Sequence, residues 1–157
     1  MEEKRVYNHI DTDDTVLTLH DCIANKIQLE NGILSFYFQN GFWITPLHYA
    51  NNSTNVVRTD FSQVDYQING KVYIYVFRKN IFRKIIRTEW TLEQLINFIN
   101  NSNSSLEFLY QYKSQDEQLL KGYLRFDKAP YCYECELEIP ACKIEYRWNN
   151  LCYDKIW

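Results

Sequence analysis

Along most of this chain apolar and polar residues alternate one for one, and the alternation breaks at short clusters of Asn, Gly, Ser and Asp. A period of two belongs to a strand with one buried face, so the pattern predicts β-structure punctuated by turns. The stretch QLENGILSFYFQNGFWI, Gln28 to Ile44, holds two Asn-Gly pairs, and QINGKVYIYVF holds a third at Asn69-Gly70. Three of the four glycines thus follow an asparagine. Both central residues of a tight hairpin corner need positive φ, which Asn and Gly adopt with least strain.

With Asn31 and Gly32 at a corner, Glu30 faces Ile33, Leu29 faces Leu34, Gln28 faces Ser35 and Ile27 faces Phe36. Ile27, Leu29, Leu34, Phe36 and Phe38 then share one face, and Lys26, Gln28, Glu30 and Ser35 the other, as a half-buried antiparallel pair requires. The same rule at Asn40-Gly41 sets Phe38 against Trp43, giving a three-stranded meander over residues 22–45. At Asn69-Gly70 it predicts a hairpin with Val64, Tyr66 and Ile68 opposite Tyr75, Tyr73 and Lys71. SLEFLYQY, QLLKGYLRF, YCYECELEI and CKIEYRW alternate as further strands.

The period lengthens once, in TEWTLEQLINFINNSNSS. Thr91 stands three residues before Gln94, the spacing of a capping box, with Trp90 and Leu95 placed as a hydrophobic staple. Leu92, Leu95, Ile96 and Ile99 follow helical spacing, so one amphipathic helix over about residues 92–101 is expected to pack on the sheet. No Gly/Pro/Ser-rich linker interrupts the chain, which reads as a single domain over residues 1–157. The fold class is therefore mainly β (α+β): an antiparallel meander or sandwich-like curled sheet of about eight to ten strands, carrying one helix.

Composition changes this picture only in part. A chain of 157 residues buries roughly 70% of its unfolded surface and needs no staple. Seventeen basic residues against twenty acidic give a net charge of −3, so nucleic acid or anionic lipid could be attracted only by a local patch. The opening MEEKRVYNHIDTDDT has no apolar core, and no run approaches the roughly eighteen apolar residues that span a bilayer. A cytoplasmic protein without membrane association is expected, and its five cysteines are then expected to be reduced thiols.

Candidate chemistries meet geometric objections. In YCYEC, strand alternation points Cys132 and Cys135 to opposite faces, so they cannot share a zinc ion, and Cys135 joins Tyr133, Leu137 and Ile139 as a small hydrophobe. In LHDC, adjacent His20 and Asp21 diverge, and His48 or His9 could serve Cys22 as a base only by tertiary approach. DTDDT, Asp11 to Thr15, lacks the glycine of a calcium loop. The glycines are all explicable as turns, so no phosphate-cradling loop can be built. No catalytic residue, metal ligand or cofactor site is assigned.

Two charge features remain. RKNIFRKIIR packs Arg78, Lys79, Arg83, Lys84 and Arg87 around Ile81, Phe82, Ile85 and Ile86. Lys and Arg there protect a strand edge, or grip phosphates or an acidic partner. Glu134, Glu136 and Glu138 form an outward stripe, and a corner at Pro140-Ala141 would set them against Arg147, Glu145 and Lys143. The stripe is read either as a salt-bridged solvent face or as an acidic patch offered to a basic partner.

The segment LHDCIANKIQLENGILSFYFQNGFW, residues 19–43, resembles the opening of small bacterial proteins of the immunity type, which accompany polymorphic or contact-dependent toxins. The resemblance implies a cytoplasmic protein that acts by binding rather than by turnover, with no catalytic residue carried over. The function expected is a non-catalytic module that occludes a basic toxin domain, with Glu134, Glu136, Glu138 and Glu145 at the contact. The alternatives are a small-molecule binder or enzyme with a cavity between sheet and helix, where Cys22, His20 and His48 come first, and a nucleic-acid binder using residues 78–87.

Overall fold

A computed structural model describes residues 5–157; residues 1–4, the start of the acidic N-terminal stretch, lie outside it. In chain order the strands are β1 (His9–Asp11), β2 (Leu17–Thr18), β3 (Cys22–Ala24), β4 (Lys26–Glu30), β5 (Ile33–Phe38), β6 (Trp43–Ile44), β7 (Val57–Thr59), β8 (Ser62–Ile68), β9 (Tyr73–Lys79) and β10 (Ile85–Trp90). Helix α1 (Leu92–Asn101) follows, then β11 (Ser105–Lys113), β12 (Glu117–Arg125), β13 (Cys132–Trp148) and β14 (Leu151–Ile156). The fold is mainly β with antiparallel sheets that do not close into a barrel. The fourteen strands among the described residues exceed the expected number because several are only two or three residues long.

The Asn31-Gly32 corner forms as expected, with φ of 51° and 76°, and β4 and β5 pair in the predicted register. The other two Asn-Gly pairs do not make hairpins. At Asn40-Gly41 the chain leaves the large sheet: Trp43 and Ile44 pair with β2 and β7, in a small sheet ordered β14-β7-β6-β2. Gly41, at φ 71°, lies against the backbone of β7, where an added Cβ would sit 2.2 Å from the Thr59 carbonyl. At Asn69-Gly70 the chain does not reverse. Both β8 and β9 run antiparallel to β13, the first along Ala141–Arg147 and the second along Glu134–Glu138. Val64 and Tyr66 therefore face Tyr146 and Ile144 rather than Tyr75 and Tyr73.

Pro140-Ala141 is likewise no corner. β13 runs unbroken from Cys132 to Trp148, flanked by β12 and β9 in its first half and by β8 and β1 in its second. A bulge between Ala141 and Lys143 inserts Cys142 at the junction. One extra residue reverses the parity. Cys135, Leu137, Ile139 and Ala141 point inward before it, and Ile144, Tyr146 and Trp148 after it. Ten strands are joined through β13 into the large sheet.

Helix α1 carries the expected capping box: the Thr91 hydroxyl accepts from Gln94 N (3.1 Å) and the Gln94 carboxamide accepts from Thr91 N (2.8 Å). Trp90 meets Phe98 edge-on at 5.3 Å, and Leu95 and Ile99 are buried. In the last turn Asn100 donates to the Ile27 carbonyl (2.7 Å) and accepts from the Ile27 amide (2.9 Å), completing the outer side of β4 at that residue. The buried cluster draws Leu17 and Ile44 from the small sheet, Phe42 from the segment leading into β6, Phe36, Phe108 and Leu137 from the large sheet, and Leu95 and Ile99 from α1.

Candidate functional site

Cross-strand partners in an antiparallel sheet share a face, so the registers around β13 define its outward surface. Glu134 lies between Phe77 and Tyr123, Glu136 between Tyr75 and Lys121, and Glu138 between Tyr73 and Leu119. The rows extend outward on both sides, to Arg87 and Glu89 on β10 and to Glu107, Tyr110 and Tyr112 on β11. A bulge between Phe108 and Tyr110 keeps the last two on this face, and Gly122 accommodates it, since a Cβ there would lie 2.0 Å from the Glu107 carbonyl. The result is an open sheet face in which tyrosines surround carboxylates.

Its charges are unevenly satisfied. Lys121 pairs with Glu136 at 3.0 Å, Lys71 with Glu89 at 3.3 Å, and Arg125 with Glu107. The Lys121 ammonium is held above its ordinary value, chiefly by the hydrogen bond it donates to Glu136. Glu134 and Glu138 have no ion pair among the described residues. Arg87 and Lys71 lie over the rings of Tyr75 (4.7 Å) and Tyr73 (4.6 Å), which fixes those rings at the surface.

Glu145 shares the outward side but belongs to another environment. Lys143 reaches it at 2.6 Å and Arg147 bonds both Glu145 and Asp65, the latter at 2.8 Å. Asp65 also accepts from Ser35 and Gln63, each at 2.6 Å. The hydrogen bond from Lys143, with Arg147 beside it, holds the Glu145 carboxyl below its ordinary range. Thus the structure brings Glu134, Glu136 and Glu138 together and places Glu145 inside a local ion network. The expected facings of Glu138 to Lys143, Glu134 to Arg147 and Glu136 to Glu145 do not occur, because β13 does not fold back on itself.

Cys22, His20 and His48 do not converge. The Cys22 thiol is buried against the carbonyl oxygens of Thr18 and His20, and burial pushes it up to about 12 despite nearby Arg58. His20 bonds the Leu109 carbonyl through Nδ1 and stacks on Trp157 at 5.4 Å, and, contrary to the expected divergence, its Nε2 lies 3.4 Å from the Asp21 carboxylate, because residues 20 and 21 form a turn with Asp21 at φ 57° rather than a strand. His48 bonds Asp11 through Nε2 (2.7 Å) and accepts from Ala50 N through Nδ1 (3.0 Å), packed against Tyr49 and Trp148. Two clefts stand out among the described residues. One of about 430 Å³ lies beside His20, Gln111 and Gln118, and another of about 550 Å³ lies between Gly70 and Val72 of the β8–β9 connection and the start of α1. Only the second separates sheet from helix, and none of the three residues lines it.

Cys132 is exposed and Cys135 buried, as alternation requires, and among the described residues no three His, Cys, Asp or Glu side chains are grouped to hold a metal ion. No described helix is long and apolar enough to cross a membrane. The tyrosine rows come from three strands, β9, β12 and β11, so no single stretch of sequence displays them. Their signal was the polar-side tyrosines in KVYIYVF and KGYLRF, whereas in SLEFLYQY strict alternation groups Tyr110 and Tyr112 with Leu106 and Phe108 and only the bulge turns them outward. No family model, curated protein or solved structure matches the chain.

Proposed function

We propose that this chain is a non-catalytic protein-binding module that presents the outward face of β9, β13 and β12 to a basic partner, as an immunity-type inhibitor occluding a toxin domain in the cytoplasm would. The observation that carries this reading is the placing of Glu134 and Glu138, which make no ion pair among the described residues, beside surface rings at Tyr73, Tyr75 and Tyr123. Tyrosine contributes large contact area at low entropic cost, and unpaired carboxylates add attraction and register toward a cationic surface. Its mechanism is steric cover, with charge accelerating the encounter.

The test is capture from a lysate of the source organism on three immobilised proteins: wild type, Glu134→Lys with Glu138→Lys, and Tyr73→Ala with Tyr75→Ala. A basic protein held by wild type and lost from both variants supports the assignment. A partner retained equally by all three, or no retained basic protein, overturns it.

A further inference from the structure

The tip of the β9–β10 hairpin lies beyond the rows that form the acidic face, which end at Phe77 and Arg87. Its turn, residues 80–84, is built rigidly: the Asn80 side chain accepts from the amides of Phe82 and Lys84, both at 2.9 Å, and Arg83 takes φ 59°. Its base is braced by a chain of rings, Trp90 to Phe98 to Phe126 to Tyr133, with Arg78 over Tyr133 at 5.7 Å. The tip nevertheless leaves Ile81 91% exposed, Phe82 74%, Ile85 66% and Ile86 48%. Arg78, Lys79, Arg83, Lys84 and Arg87 surround them with no carboxylate in the segment and no ion pair among the described residues.

Register carries this turn past the start of β13, because Phe77 already faces Glu134. It therefore lies at the same end of the sheet as the 126–131 loop, where Tyr131 is exposed beside Asp127 and Lys128. Large apolar groups held rigidly in water are costly to leave without a purpose. Protection of the β10 edge explains the cations but not Ile81 and Phe82, which stand in the turn.

We infer that this hairpin tip docks on an anionic lipid surface, with Ile81 and Phe82 entering the headgroup boundary and Lys79, Arg83 and Lys84 binding lipid phosphates and carboxylates. Such a surface takes both kinds of residue at once: apolar groups sink about 5–10 Å into the interface while cations gain from the surface potential. A nucleic acid would use the cations and leave the aliphatic side chains in water. The expectation of no membrane association rested on the lack of a spanning segment and on net charge. Peripheral docking needs no spanning segment, and five clustered cations in a chain of net charge −3 give a charge asymmetry that turns this end toward a negative surface.

The experiment is flotation of the full chain with vesicles of phosphatidylcholine alone or with about one-third phosphatidylserine, at low and at physiological salt. Binding to the anionic vesicles only is expected. Lys79→Glu, Arg83→Glu and Lys84→Glu together should weaken it roughly a hundredfold, and Ile81→Ser with Phe82→Ser roughly tenfold or more. A Phe82→Trp variant should blue-shift its emission on the same vesicles. Tyr73→Ala with Tyr75→Ala, which alters the acidic face without changing the charge, should leave vesicle binding intact, which separates this test from that of the acidic face. No flotation of wild type at low salt overturns the inference, as does flotation that Ile81→Ser with Phe82→Ser leaves unchanged. Retention on a DNA duplex without vesicle binding would assign the tip to nucleic acid instead.

Discussion

The two halves of β13 share one strand and one outward side, yet their surfaces are finished differently. Before the bulge, Glu134 and Glu138 stand among tyrosines and make no ion pair among the described residues, although Lys121 lies close enough to feel Glu134. After it, Lys143, Glu145 and Arg147 alternate in sign and lock onto Asp65. The second half spends its charges within the molecule, where buried Asp65 requires a partner. The first half leaves carboxylates unspent, and unspent charge beside surface aromatics is what a docking face requires. The difference teaches that a carboxylate's role is set by its neighbours across the sheet and not by its place in a run of glutamates.

The sharpest way to break the comparison is to delete Cys142. Without the bulge residue, either Leu137 and Ile139 or Tyr146 and Trp148 must turn to solvent, because one step of register exchanges every side chain between faces. Loss of cooperative unfolding and of near-ultraviolet circular dichroism is expected, whereas Cys142→Ala should change stability by less than about 0.5 kcal/mol. A folded deletion variant would mean that the halves are not held in register by the bulge.

Cysteines on the same strand report its parity directly. Cys132 and Cys142 are exposed, while Cys135 is buried and its thiol is pushed up to about 12 by that burial. Alkylation near pH 8 followed by peptide mass spectrometry should modify Cys132 and Cys142 roughly a thousandfold faster than Cys135, which reacts only when the sheet opens. Cys22, with the same cause and direction of shift, should react as slowly as Cys135. Rapid labelling of Cys22 would instead point to a reactive centre on β3.

A third contrast is energetic. Arg147→Met leaves Asp65 and Glu145 without their shared cation, and breaking a largely buried pair from one side should cost about 2–4 kcal/mol in urea unfolding. Glu134→Gln with Glu138→Gln should stay within about 0.5 kcal/mol, since neither carboxylate supports a neighbour. Equal losses in the two variants would erase the distinction between a structural and a free acidic face.

What was legible in the sequence divides along the range of the interaction. The Asn31-Gly32 hairpin, the Thr91–Gln94 capping box and the opposed faces of Cys132 and Cys135 are decided within a few residues, and all appear as expected. Asn40-Gly41 and Asn69-Gly70 carry the same dipeptide but do not turn the chain into a hairpin. Asn-Gly permits positive φ without requiring reversal, and what decides is which strand waits alongside. For residues 69–72 that strand is β13, some seventy positions later, whose Pro140 carbonyl accepts from Asn69 N at 3.0 Å. The β13 bulge did leave a trace, since its apolar residues move from odd positions through Ala141 to even ones from Ile144. Pro140 masked it by suggesting an end, although a proline fits where one set of strand partners gives way to the next. The acidic stripe was legible as a stripe. Its tyrosine surroundings, and the removal of Glu145 into a network, depended on pairings that no local pattern encodes.

The smallest effect separates the halves by acid titration. Glu145 is held below its ordinary range by Lys143 and Arg147, so the folded chain binds its proton less readily than the unfolded chain does. Such a group stabilises the fold fully above its unfolded value, and that contribution disappears as the pH falls through the lower value it has in the fold. The urea midpoint of wild type should therefore decline across that acidic window, and Glu145→Gln should decline less steeply while starting lower at neutral pH. Lys143→Met, which removes the donor most responsible for that shift, should flatten the limb in the same direction. If neither Glu145→Gln nor Lys143→Met changed its slope, the second half of β13 would not be using Glu145 to hold the sheet together, and its contrast with the first half would rest on geometry alone.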